Sequence, residues 1–274
     1  MDRMFMCLTR RYLMSKGFLW FAQNNANTDY VELSIKLARS IKKYNKHNKI
    51  CVVTDKQSQF NDESVDVVKV MKDDASATHD IKWANEYKAF NITPFTHTIK
   101  LESDMLWTAN TDWWWHHLWQ HDLVFSVDCL DYRGRVIKDK VYRKLFVRNH
   151  LPNIYNGLMY FRKSNKAQHF FNLVQTIVEN WKQVRSEMLV ACHDQYPSTD
   201  VVFALAYRIM DPTCEDLIDY DWFKFIHNKA GINGLNKLAN HNDYLMPNRT
   251  DSKIYVGETR VSRVWHYHDK ELDV

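Results

Sequence analysis

Between Thr96 and Trp107 the chain reads THTIKLESDMLW. Ile99 and Leu101 alternate with Thr98 and Lys100, the period of a buried strand. The strand then ends in two carboxylates, Glu102 and Asp104, which flank Ser103 before the chain turns apolar again at Met105. Residues i and i+2 share one face of a strand. Two acids at a strand end can therefore converge on one hard cation, and Mg²⁺ or Mn²⁺ suits oxygen ligands. Without a cation the pair must be solvated, because uncompensated carboxylates at a buried strand end are costly. The bland alternative is a surface turn carrying two hydrated acids.

A second stretch carries charge of the other sign. From Tyr132 to His150 seven cations, among them Arg133, Arg135, Arg143 and Lys144, stand against the single acid Asp139. Tyr132, Tyr142 and Phe146 are interleaved with them. Basic and aromatic residues together suit a nucleic-acid or other polyanion groove. The alternative is a solvated helix face. The tryptophans at 113–115 and Trp119 read as core.

The elements that must position these groups begin at residue 16. KGFLWFAQN (16–24) predicts a strand, DYVELSIKLARSIKKYNK (29–46) an amphipathic helix capped by Asp29 with Glu32, and KICVVTD (49–55) a second strand. That βαβ unit predicts a parallel sheet. Further strands are expected at 64–70, at the THTIKL run, at 122–128 and at 154–164. The last contains Gly157, where backbone or ligand comes close. Helices are expected at 80–90, at 111–121 with Thr111 or Asp112 as cap, at 167–189 and at 198–210. The fold class is α/β: a Rossmann-type sandwich with a mainly parallel central sheet flanked by helices, and a mixed second half. Ligands bind at the carboxyl ends of strands in such sheets, where Glu102 and Asp104 sit.

Length and composition suit one large α/β domain or two small ones. The chain has 274 residues and a formal net charge of +4, too weak by itself to imply a nucleic-acid partner. The five cysteines are widely spaced with no C-x-x-C, which argues against a zinc knuckle or disulfide scaffold and for a reducing cytoplasm. The N-terminal apolar run is broken by Arg3, Arg10 and Arg11, so no membrane span is expected there. Residues 1–13 read as an extension ahead of a natural start at Met14.

TIKLESDMLWTANTDWWWHHL resembles the D-x-D region of GT-A glycosyltransferases, the nucleotide-diphospho-sugar transferase superfamily. FLWFAQNNANTDYVELSIKLARSIKKYN, YNGLMYFRKS and STDVVFALA resemble, in order, the family's first strand and helix, its strand after the metal motif and its acid-started helix. The likeness covers about residues 16–210, with VWHYHDK (264–270) as a tail match. Glu102 departs from the family's first Asp, which makes Asp104 the firmer metal ligand.

The resemblance implies a single domain over 14–274, with a nucleotide-binding half to about 110 and an acceptor-binding half beyond. It implies transfer of a hexosyl or pentosyl group from a nucleotide-diphospho-sugar with Mn²⁺ or Mg²⁺. Glu102 and Asp104 would hold the metal, with His266 or His268 as third ligand, His266 fitting the pattern better. The nucleotide would lie near Ala22, Gln23, Asn24, Tyr30, Thr54, Asp55 and Ser103. Lys82 or Lys88, and Lys270, would meet phosphate. Asn156 and Gly157 would flank the sugar and acceptor. Asp200 would serve as base or sugar-hydroxyl ligand, with Asp194 as the competing acid and an ordinary helix-cap role as the alternative. Arg133, Arg135, Arg143 and Lys144 would shape the acceptor site. The favoured acceptor is a hydroxymethylated base in phage DNA, which would place the enzyme in host cytoplasm. The alternatives are a saccharide or lipid-linked glycan acceptor, or a non-catalytic nucleic-acid-binding protein.

Overall fold

The computed structural model describes residues 15–76, 82–138, 141–228, 247–250, 253–256 and 258–267. The N-terminal extension, His268 and Lys270 lie outside them.

The chain opens on β1 (Lys16–Ala22), α1 (Tyr30–Tyr44), β2 (Lys49–Thr54) and β3 (Val67–Val70). Asp29 caps α1, its Oδ1 accepting from the backbone N–H groups of Val31 and Glu32 at 3.0 Å each. A 3₁₀ segment (Lys82–Lys88) runs into α2 (Ala89–Ile92), then β4 (His97–Leu101) and β5 (Met105–Leu106) follow. Next come α3 (Trp114–Leu118), β6 (Leu123–Val127), α4 (Lys144–Arg148), β7 (Ile154–Arg162), α5 (Asn165–Glu179), α6 (Trp181–Met188) and α7 (Thr199–Met210). Five short strands close the described chain: β8 (Ile226–Asn228), β9 (Pro247–Thr250), β10 (Lys253–Val256), β11 (Thr259–Arg260) and β12 (Trp265–Tyr267).

Six strands form the central sheet in the order β3-β2-β1-β4-β7-β6. β3, β2, β1 and β4 are mutually parallel. β7 runs antiparallel to both β4 and β6. The apolar runs of β1 and β2 follow from burial on both faces. One face packs on α5 and α7 through Phe125, Phe161, Phe170 and Phe203; the other packs on α1 and the tryptophans. Smaller sheets pair β5-β12-β8 and β11-β10-β9.

Three helix expectations are corrected. The segment 80–90 is mainly 3₁₀ over its described part. The helix expected at 111–121 starts only at Trp114, with Trp113 rather than Thr111 or Asp112 as its cap residue. Those two are tied back to the loop after α1: Thr111 N–H donates to Asn45 Oδ1 at 2.8 Å, and Asp112 accepts from Asn48. The helix expected at 167–189 breaks at Asn180, whose side-chain amide bonds the Thr176 carbonyl at 2.8 Å. An Asn side chain competes in this way with the helical ladder. Of the tryptophans, Trp114 and Trp115 are core, whereas Trp113 is 47% exposed.

Candidate metal and transfer site

β4 delivers the acids. It ends at Leu101, and Glu102-Ser103-Asp104 form the turn into β5. β5 leaves the main sheet and pairs antiparallel with β12, which sets His266 opposite Met105. Tyr267 N–H donates to the Asp104 carbonyl at 3.2 Å and fixes that register. His266 Nε2 consequently stands 3.1 Å from Asp104 Oδ2 and 3.4 Å from Glu102 Oε2. One ligand atom from each of the three residues lies within 4.8 Å of the others. Asp104 is 8% exposed and its two partners are partly buried, so the cluster is half-sunk at the carboxyl end of β4, an interior strand of the sheet.

Two carboxylates and an imidazole make a donor set for a hard or borderline divalent cation, and the imidazole favours Mn²⁺ over Mg²⁺. Ser103, between the acids, is buried. His266 lies half-buried on the strand Trp265–Tyr267, between two buried neighbours.

β7 forms the next wall. A β-carbon on Gly157 would stand 2.9 Å from Glu102 Oε2 and 3.1 Å from Met105 Cε, so only glycine lets Glu102 lie this close to the strand. Asn156 is 1% exposed, and both polar atoms of its side chain are buried without a hydrogen-bond partner. A buried amide left so is costly, and a bound polar group would satisfy it. Its backbone is fully engaged: the N–H donates to Asp200 Oδ1 at 2.8 Å, and the carbonyl accepts from Lys100 Nζ at 3.3 Å.

Asp200 sits in the first turn of α7. Its Oδ2 accepts from Arg143 Nη1 at 3.0 Å. The bland role of helix-start acid is therefore not its whole use, since both oxygens hold other elements. The rival acid Asp194 is exposed, and it is its backbone carbonyl that takes bonds from Trp181 and Arg185.

Arg143 is 4% exposed and departs from the basic face expected of its segment. Its guanidinium lies 3.8 Å from the Tyr155 ring centre and 3.9 Å from that of Phe146, and donates to the Ile154 carbonyl. Arg133, Arg135 and Lys144 are exposed, and Arg133 covers the ring of Tyr132.

A second polar network gathers at the ends of β1 and β2. Ala22 ends β1 fully buried, and Gln23 is buried beside it. The Gln23 amide donates to Asp55 and Asp74 and accepts from Asn85, so its side chain is committed within the protein. Asn24 Oδ1 accepts from Val31 N–H, and the Thr54 hydroxyl donates to the Ser58 carbonyl. Burial raises the pKa of Asp55, but the backbone N–H of Ser58, with further hydrogen bonds from Ser58, Gln23 and Gln57, outweighs it and holds the carboxyl below its usual range. Tyr30 opens α1 and packs with Leu33, Leu106 and Trp265. Of Lys82 only the backbone is described. Lys88 is half-buried above the Tyr87 ring, and burial lowers its pKa.

Two participants were not singled out from sequence as partners. Lys100 is fully buried and pairs with Glu86 of the 3₁₀ segment. A lysine within an apolar strand demands a buried anion, and that signal was open to reading.

No protein-family profile matches the chain, and no curated protein matches it in sequence. A solved structure does match: mouse xyloside xylosyltransferase 1 in its apo form, with a TM-score of 0.52 and 9% identity, covering 93% of this chain and 98% of that one. At that identity the likeness carries the fold, and it does not extend to a DNA-modifying branch. The six-stranded, mainly parallel sheet flanked by helices is similar to a glycosyltransferase fold.

Proposed function

We propose that this protein is a metal-dependent glycosyltransferase that moves a sugar from a nucleotide-diphospho-sugar to an acceptor hydroxyl. The observation that carries the reading is the convergence of Glu102, Asp104 and His266 at the carboxyl end of β4, where α/β sheets bind ligands. When bound, a divalent cation there would neutralise the charge that builds on a departing diphosphate. Glu102 and Asp104 would supply its oxygens and His266 its nitrogen. Asp200, held by Arg143 and by the Asn156 backbone, would orient a sugar hydroxyl, and the buried Asn156 amide would bind one. The loop bounded by Asn24, Thr54 and Asp55 is the proposed nucleotide edge.

We take a saccharide hydroxyl as the acceptor. The fold likeness to a protein titled a xylosyltransferase supports that choice. A modified DNA base as acceptor draws on a different observation: Arg133, Arg135, Lys138, Lys144 and Arg148 are all exposed. Among the described residues no helix is long and apolar enough to cross a membrane.

The test is turnover. A panel of nucleotide sugars is incubated with Mn²⁺ and the protein, with saccharides or hydroxymethylated duplex DNA as acceptors. Wild type should release nucleoside diphosphate from at least one donor, and Asp104→Asn should lose on the order of 10²-fold or more of that rate. A wild-type protein that neither binds nor consumes any nucleotide sugar overturns the reading.

A further inference from the structure

A groove of about 420 Å³ lies outside this site, between α1 and the β10–β11 hairpin. Lys36, Arg39 and Lys43 line one side, spaced i, i+3 and i+7, which puts them on one helix face. Lys253 on β10 and Arg260 on β11 line it from the other chain segment. Glu32 is the only acid among the described residues that line it. Arg39 also reaches Asp62 at 2.8 Å, so part of its charge is already met.

The groove is separate from the acid cluster. Glu102, Asp104 and His266 are not among the residues that line it. It backs on to them through β5: Met105 reaches toward Gly157, while Leu106, the next residue, lines the groove. Successive strand residues point to opposite faces, which explains the division.

We propose that this groove binds an anionic oligosaccharide segment, one that carries carboxylate or phosphate groups, beside the transfer site. That the occupant is a saccharide rests on the glycosyltransferase reading; that it is anionic rests on the groove alone. One helix and both strands of the facing hairpin contribute cations to one trench, so the charge is arranged around a volume and not spread over a helix face. A concave trench of this size takes a chain segment, whereas a bilayer surface is flat. Single-stranded nucleic acid is disfavoured because it needs aromatic platforms. Among the described residues the groove offers two aromatic ones. Trp107 is 1% exposed and packed edge-on against Phe18 and Trp114, and Tyr44 already lies under Lys43.

The experiment measures binding by the whole chain of a labelled tetragalacturonate, its neutral galactose counterpart and a labelled oligothymidylate, at low and at moderate salt. The acidic saccharide should bind, more weakly as salt rises, and the neutral one should not. Lys36→Glu with Lys43→Glu, and separately Lys253→Ala with Arg260→Ala, should each weaken binding at least tenfold while circular dichroism stays native. Asp104→Asn should leave this binding unchanged, which separates failure of the groove from failure of the transfer site. Equal binding of the neutral saccharide, no binding of the acidic one, or indifference to both double variants would overturn the proposal. Tighter, variant-sensitive binding of the oligothymidylate would also overturn it and make nucleic acid the occupant.

Discussion

Gly157 and Glu102 touch across two strands: the place where a β-carbon would stand on residue 157 is 2.9 Å from the Glu102 carboxylate. Contacts under 3.0 Å force a shift, and here the atom that must move belongs to a proposed metal ligand. Gly157→Ala is expected to displace Glu102 and lower Mn²⁺ affinity by about 10-fold or more, in the range seen when groups that orient metal ligands are changed. Calorimetric titration of Mn²⁺ into both proteins checks this, and unchanged affinity would contradict a role for Gly157 in seating the Glu102 carboxylate.

Arg143 and Lys144 are neighbours in sequence with opposite expected effects. Arg143 is buried against Tyr155 and Phe146 and paired with Asp200; Lys144 is exposed. Removing one partner of a buried pair strands the other. Arg143→Ala should cost about 3 kcal/mol of stability, discounted toward 2 because Asp200 keeps some solvent. Lys144→Ala should stay within about 0.5 kcal/mol. Urea denaturation of the two variants measures both, and equal effects would contradict the buried pairing.

His97 gives a pH signature away from the site. Burial, with a smaller contribution from Arg162, pushes its pKa down from 6.5 to about 4. Its ring stacks on Trp119 at 3.9 Å, and Nδ1 shares a hydrogen bond with the Tyr160 hydroxyl. The unfolded chain therefore takes up a proton at higher pH than the folded one. Its stability contribution is complete above 6.5 and falls away as pH drops toward about 4. The loss is on the order of 2 kcal/mol. Denaturation midpoints from pH 7 to 4 should show this slope in wild type and a flatter one in His97→Gln.

How much of this was open to reading from sequence divides along physical lines. β1, α1 and β2 were legible because period-2 and period-3.6 patterns are local, and Asp29 announces its cap. The pair Glu102 and Asp104 was legible because two acids rarely end a buried strand without cause. His266 came forward through resemblance, and its approach to Asp104 depends on β5–β12 pairing across some 160 positions, which no local pattern encodes. Arg143 looked like one more cation in a basic run; only packing on Tyr155 separates it from Lys144. The reversed direction of β7 was likewise hidden, since a strand's own pattern does not state its neighbour's direction. Asn180 could have been read as a break, because its side chain competes with the helix it interrupts.

The most direct measurement of the central claim is the affinity of the protein for a nucleoside diphosphate with and without Mn²⁺, in wild type, Asp104→Asn and His266→Ala. The account predicts that Mn²⁺ tightens wild-type binding at least tenfold and that both substitutions abolish this gain while metal-free binding stays the same. Binding that ignores Mn²⁺ in wild type, or a gain that survives Asp104→Asn, would contradict it.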